Sequence, residues 1–308
     1  MPMESQIVTS TALTNLSIRY QNPAYVHEKI FPIVKVSKSV GKFYQFGKEN
    51  FLIDEDRRRP FAGANRIDYD LSTASFNTQE YALEHGIDWK LRETADKPID
   101  LEEAGTFMLT EKILLGKEKR ALDLITTSNI SNNKTLTAGG SGKNKQWDGS
   151  GSDPQGNFQD AISAIQKNAN VEPNIVVMNP DVALVLAKHD DVVEQRKYTD
   201  PQLINRYGLP NILWGLEVVI ASASYNTANR GKTASMSYLL GKKVLFAYVT
   251  PNPGLNVKSF GFTFQYQTRK VRKWTEERVK ADFIEVSEDY DIQIVDENCA
   301  YLLDAVIA

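Results

Sequence analysis

One helix sets the dimension of the fold. Between positions 98 and 127, apolar residues recur at helical spacing with no proline inside the run. Pro98 stands near the start and Asp100 can cap the first turn. Glu102 and Glu103 follow, where the helix dipole favours acids. Leu101, Ala104, Met108, Leu115 and Leu122 make one apolar stripe, and Phe107, Leu114, Ala121 and Ile125 make another beside it. The spacing predicts that Glu111, Lys112, Lys117, Glu118, Lys119 and Arg120 fill the outer face. Nearly thirty residues at 1.5 Å each give a rod of about 42 Å.

Long strands are the natural surface for such a rod. Phe260, Phe262, Phe264 and Tyr266 alternate strictly with Gly261, Thr263, Gln265 and Gln267, which predicts a half-buried strand. Strands at 283–286 and 292–295 follow, and the sheet is expected beneath the helix. Arg269, Lys270, Arg272 and Lys273 form the one dense basic run. A solvated strand edge, a contact with a neighbouring subunit's acids and a nucleic-acid contact are its three readings, in that order. Residues 31–92 read as two long strands around a polar tip. Tyr81, Leu83, His85, Ile87, Trp89 and Leu91 share one face of the return strand. The tip holds Asp54, Glu55, Asp56, Arg57, Arg58 and Arg59 before Pro60. A ribbon of this length is not stable alone and needs a partner surface. Residues 1–30 carry too little apolar surface to fold alone, so this arm must lie on something.

Residues 173–254 run as a series of short phrases. Asn174-Ile175-Val176-Val177-Met178 reads as a buried strand, stopped by Asn179-Pro180, with Asp181 placed to cap a helix over 182–188. A second short helix begins at His189-Asp190. Gly215-Leu216-Glu217-Val218 opens another strand, and Tyr225-Asn226-Thr227-Ala228, Leu240-Gly241-Lys242 and Ala247-Tyr248-Val249 follow. Between helix and phrases, residues 128–156 are rich in Ser, Asn, Gly and Lys and read as a loop. Phe158, Ala161, Ile162 and Ile165 then give a helical face.

This order of phrases, closed by Phe260-Gly261-Phe262-Thr263-Phe264, resembles the axial domain of tailed-bacteriophage major capsid proteins, the Hong-Kong-ninety-seven-type fold. The resemblance covers nearly the whole chain and implies an α+β fold with five parts. These are an N-terminal arm (1–30), an extended E-loop with flanking strands (31–92), and the spine helix and loop of a peripheral, or P, domain (93–146). An axial, or A, domain (147–255) and the P-domain strands with the C-terminus (256–308) complete it. It also implies a structural role, as the shell protein of an icosahedral head assembled in a host cytoplasm. The E-loop tip and the basic run then become intersubunit contacts, and the arm lies along a neighbouring subunit. The implied partners are copies of the chain itself in hexamers and pentamers, a scaffolding protein, a portal protein, a decoration protein and packaged double-stranded DNA bound without sequence specificity. An encapsulin, a compartment shell of the same fold, is one alternative, and an unrelated enzyme whose site is not visible in the sequence is the other. Some members join an E-loop lysine to an asparagine of another subunit; Lys42 and Lys48 lie in the matching region, but neither aligns with the reacting lysine.

Catalytic chemistry finds no constellation. His27, His85 and His189 are far apart, and no pair has metal-ligand spacing. Cys299 is the single cysteine, so an intrachain disulfide is impossible and a buried, inert thiol is the expectation. Gly139-Gly140-Ser141-Gly142-Lys143 and Gly231-Lys232-Thr233 imitate parts of a phosphate loop without its strand–loop–helix setting. No cofactor is expected. No apolar run reaches the roughly 20 residues that span a bilayer, and the first residues lack the pattern of a signal peptide. A net charge of −3 argues against wrapping nucleic acid on a basic surface, but not against enclosing it.

Overall fold

The computed structural model describes residues 8–46, 53, 56–58, 71–94, 100–197, 203–229 and 231–308. Two sheets organise it. The first runs β1 (Val8–Thr9), β13 (Gly261–Glu276), β14 (Ala281–Ile294) and β5 (Gln79–Asp88), with β2 (Ile33–Lys35) paired to the start of β13. β1, β13, β14 and β5 are successively antiparallel, whereas β2 is parallel to β13. The second sheet has the order β6 (Asn133–Thr135), β15 (Ala300–Asp304), β12 (Val244–Ala247), β7 (Ile175–Met178), β9 (Leu216–Ile220) and β8 (Ile212–Leu213). β7 and β9 are parallel, with α6 (Pro180–Leu186) and α7 (Asp190–Arg196) in the crossover between them. Hairpins β3–β4 (Val40–Phe46 with Leu71–Asn77) and β10–β11 (Ser224–Asn226 with Met236–Tyr238) stand apart from both.

The long helix is α4, Leu101–Asp123, about 35 Å at 1.5 Å per residue. Asp100 caps it as expected, accepting from the backbone N–H of Glu102 and Glu103. It lies against β14 and β5, so the sheet is beneath it. Its buried stripe differs from the expected one. Burial advances in pairs four residues apart: Gly105–Thr106, Leu109–Thr110, Ile113–Leu114, Lys117–Glu118 and Ala121–Leu122. Phe107 and Met108 are exposed, while Lys117 and Glu118, assigned to the outer face, are buried. Rows of i±4 residues form the ridges by which helices pack, and this ridge runs through the two charges. Gly105 lets the His85 ring approach, since a Cβ there would stand 3.3 Å from it.

Five more expectations are corrected. The described residues of 31–92 form four strands rather than two: β3 and β4 make the hairpin, and β5 belongs to the main sheet. Trp89 and Leu91 lie in α3 (Trp89–Thr94), which ends the return strand early. β13 is buried on both faces through Gln265. Phe262 and Phe264 pack with Val34, Phe43, Phe76 and Val295 under the hairpin, while Thr263 and Gln265 face the helical side. The terminal strand β15, grouped beforehand with the long strands, closes the other sheet against β12. The cap of α6 is Asn179, whose side chain accepts from Val182 N–H at 2.8 Å, two residues before the expected Asp181.

The larger core surrounds the second sheet. α5 (Pro154–Ala169) delivers Phe158, Ala161 and Ile165 to it, against Phe246 of β12. A separate core of Leu13, Ile87, Leu109, Ile113, Val271, Ile284 and Val286 joins the arm, α4 and the first sheet.

Candidate assembly surfaces

The charged stripe of α4 is the structural centre of the first half of the molecule. Lys117 Nζ lies 2.6 Å from Glu288 Oε1, with both side chains almost wholly buried. Gln265 Nε2 donates to the same oxygen at 2.8 Å, and Arg269 Nε stands 3.6 Å from Glu288 Oε2. Burial alone would raise the Glu288 carboxyl; the charges of Lys117 and Arg269 outweigh it and hold the group below the ordinary carboxylate range. Lys117 also lies over the Tyr290 ring, and Arg120 donates to the Tyr290 hydroxyl at 2.6 Å while stacking 3.7 Å from the Tyr81 ring centre. α4, β13, β14 and β5 are thereby fastened at one place.

The same helix holds the arm. α1 (Thr11–Arg19) buries only Leu13 and Ser17. Ser17 Oγ meets Thr110 Oγ1 at 2.8 Å, and Arg269 donates to the Ser17 carbonyl at 2.7 Å. Glu111 accepts from Asn22 Nδ2 at 2.9 Å and from the Tyr25 hydroxyl at 2.5 Å. Burial raises the Glu111 carboxyl, but the Tyr25, Tyr20 and Asn22 side chains together outweigh it and leave it lowered. Glu118 accepts from the backbone N–H of Val26 and His27 at 3.1 and 2.9 Å and meets His27 Nδ1 at 2.8 Å, at the start of α2 (His27–Ile30). The arm therefore lies on its own subunit over the described residues, where a neighbour was expected.

The hairpin β3–β4 rests on the opposite face of the sheet. Phe76 stacks on Phe264 with ring centres 4.5 Å apart, and Phe43 stacks on the same ring at 5.2 Å. Gly41 faces the Phe76 ring with no room for a Cβ, which would stand 2.4 Å from it. The other face carries Val40, Lys42 and Tyr44 outward, with Val40 and Tyr44 exposed. Beyond the hairpin, Asp56, Arg57 and Arg58 of the predicted tip are exposed, while Asp54, Glu55 and Arg59 lie outside the described residues.

The basic run is held within the subunit. Arg269 is bound as above, and Lys270 donates to Gln267 at 3.0 Å. Arg272 pairs with Glu285 at 3.3 Å and approaches Glu80 at 3.8 Å. Lys273 pairs with Glu102, which also meets Arg92 at 2.7 Å. The run is not a free edge, because β1 pairs with Arg272 and Lys273 on one side and β14 on the other. Sequence reading missed Lys117, Glu118 and Glu288 as the charges that matter. The available signal was the four-residue step from Leu109 and Ile113 to position 117.

Elsewhere, Cys299 is buried with Sγ 3.5 Å from Asp296, and burial pushes its thiol up. Gly139 to Lys143 lie in a tight turn closed by Thr137 N–H to Asn144 O at 3.0 Å, not at a helix start. Gly231 to Thr233 lie in the connection between β10 and β11. Among the described residues no group of His, Cys, Asp and Glu could hold a metal ion, and no helix is long and apolar enough to cross a membrane.

Comparison with known proteins gives a consistent result. Residues 72–300 match the model of a family described as phage capsid protein. The major capsid protein of Burkholderia phage BcepMu is 26% identical over 308 residues, covering 97% of each chain. Among solved structures, a phage-related protein from Bordetella bronchiseptica RB50 superposes with a TM-score of 0.76 at 23% identity, covering 97% of each chain. The capsid protein of Cyanophage P-SCSP1u superposes at 0.64 with 12% identity, over 92% of this chain and 89% of that one.

Proposed function

The chain belongs to the phage capsid protein family, and on that premise we propose how it builds a shell. It is a structural major capsid protein of a tailed phage with the Hong-Kong-ninety-seven-type fold, and copies of it form the capsid of the virion. The observation that carries this is a family match over residues 72–300 joined to whole-chain similarity with a major capsid protein. In our reading the second sheet is the axial domain, gathered around five- and six-fold axes in pentamers and hexamers. The first sheet with α4 is the peripheral domain, and the β3–β4 ribbon with its charged tip reaches a neighbouring copy. Many weak contacts per subunit then add through closure and avidity. A scaffolding protein, a portal protein, a decoration protein and packaged double-stranded DNA complete the proposed partners, with assembly in the host cytoplasm. The basic run remains a candidate intersubunit contact only through whatever Arg272 and Lys273 offer beyond their internal partners.

A shell around cargo protein, as in encapsulins, is the weaker reading, because the family and the named relative are of phage origin. Negative-stain electron microscopy of the expressed protein, alone and with its neighbouring genes, tests the proposal. Uniform closed shells are expected, with nuclease-resistant DNA in particles from infected cells. Monomers or small oligomers under every condition would overturn it.

A further inference from the structure

The N-terminal segment changes its mode of attachment at one residue. From Val26 onward it is fixed by burial: Val26, Ile30 and Phe31 are core, and β2 is hydrogen-bonded to β13. Before Val26 it is held mostly by polar contacts. Leu13 is its single buried apolar side chain among the described residues, with Leu16 partly buried beside it. Against that stand the Ser10 N–H to the Val271 carbonyl and the Val271 N–H to Thr14 Oγ1, each 3.1 Å. The pairing of β1 with β13, a Tyr20–Phe107 ring contact at 5.7 Å and the Arg269, Thr110 and Glu111 contacts already described are the other attachments among the described residues. Apolar burial resists opening in proportion to area, whereas each hydrogen bond exchanges with water at small net cost. The two halves of the segment should therefore open independently. Glu118 sits where they meet, holding the backbone of Val26 and His27. His27 Nε2 is buried there without a hydrogen-bond partner among the described residues, so the docked state is not fully satisfied at the joint.

We propose that residues 8–25 form a releasable clasp, hinged at Val26–His27 and kept shut by Glu111, which opens while the rest of the subunit stays folded. Opening uncovers Leu109, Ile113 and Val271, the apolar floor that Leu13 covers. The device needs no shell to operate and is testable on the soluble subunit. Amide hydrogen exchange at neutral pH should show residues 11–20 exchanging far faster than α4 and β14 in the wild type. Glu111→Gln, which keeps the shape and removes the charge, should speed exchange in 11–20 roughly tenfold or more, the worth of a charge-assisted hydrogen bond. Protection in α4, β13 and β14 should not change. Tyr25→Phe, which removes one donor, should shift the same peptides in the same direction by less. Residues 11–20 opening only together with α4 in the wild type would overturn the proposal, as would unchanged exchange in 11–20 in both variants.

Discussion

At the scale of single residues, the decisive group is Lys117, a charged side chain in the middle of a packed ridge. Removing one member of a buried ion pair strands the other charge without a partner, typically at about 3–5 kcal/mol. Lys117→Met should therefore destabilise the soluble subunit by about the lower end of that range, since Arg269 and Gln265 still face Glu288, measured by urea unfolding. Lys117→Met combined with Glu288→Leu should recover part of the loss, because Glu288 is no longer stranded while Arg269 keeps only the Ser17 carbonyl. Glu288 also sets a pH dependence. Its folded value lies below the unfolded one, so the ionised group stabilises the fold above the ordinary glutamate value near ~4.3. That contribution is lost as pH falls through the lower, folded value. Acid titration of stability should be shallower in Glu288→Gln below about pH 5, and an unchanged slope would contradict the assignment. None of this was legible in the sequence. Helical spacing placed Lys117 and Glu118 on the outer face, because a charged residue is assigned to water until its partners are known. Both partners of Lys117 in the chain, Glu288 and Tyr290, lie more than 170 positions away on β14.

At the scale of elements, the hairpin β3–β4 shows how local pattern and tertiary placement divide the work. Alternation predicted extended chain on both sides of the ribbon, and its instability alone predicted a partner surface. The first part of that surface is internal: Phe43 and Phe76 stack on Phe264 of β13. Truncating a buried aromatic ring costs about 3–5 kcal/mol. Phe76→Ala should therefore loosen the hairpin from β13 and lower the yield of closed shells, while α4 and the second sheet stay folded. Circular dichroism and particle counts by electron microscopy check the two halves. Normal shells from this variant would show that hairpin placement is not needed for closure. The long helix was read well because its start is written locally, in Asp100, Glu102 and Glu103. Its buried face was not, because Phe107 and Met108 look like core but point away from the sheet.

At the scale of the molecule, the balance of charge separates enclosing DNA from wrapping it. With a formal net charge of −3, and with Arg269, Arg272 and Lys273 engaged by acids and a carbonyl of the same chain, the isolated subunit should not retain duplex DNA at physiological salt. Tight binding that falls steeply with salt in a gel-shift assay would overturn that expectation. The sequence by itself determined the α+β class, the long capped helix and the alternating strands. Each follows from spacing and capping over a few turns of chain, which act before any tertiary contact forms. It also carried the family resemblance, written in the order of phrases from 173 to 266. Only the tertiary structure decided that the terminal strand β15 closes the second sheet, that the arm docks on its own helix, and that Arg269, Arg272 and Lys273 of the basic run meet acids of their own chain. Those outcomes depend on which distant segments meet. Residues such as Arg269 and Ser17, 252 positions apart, become neighbours only through folding.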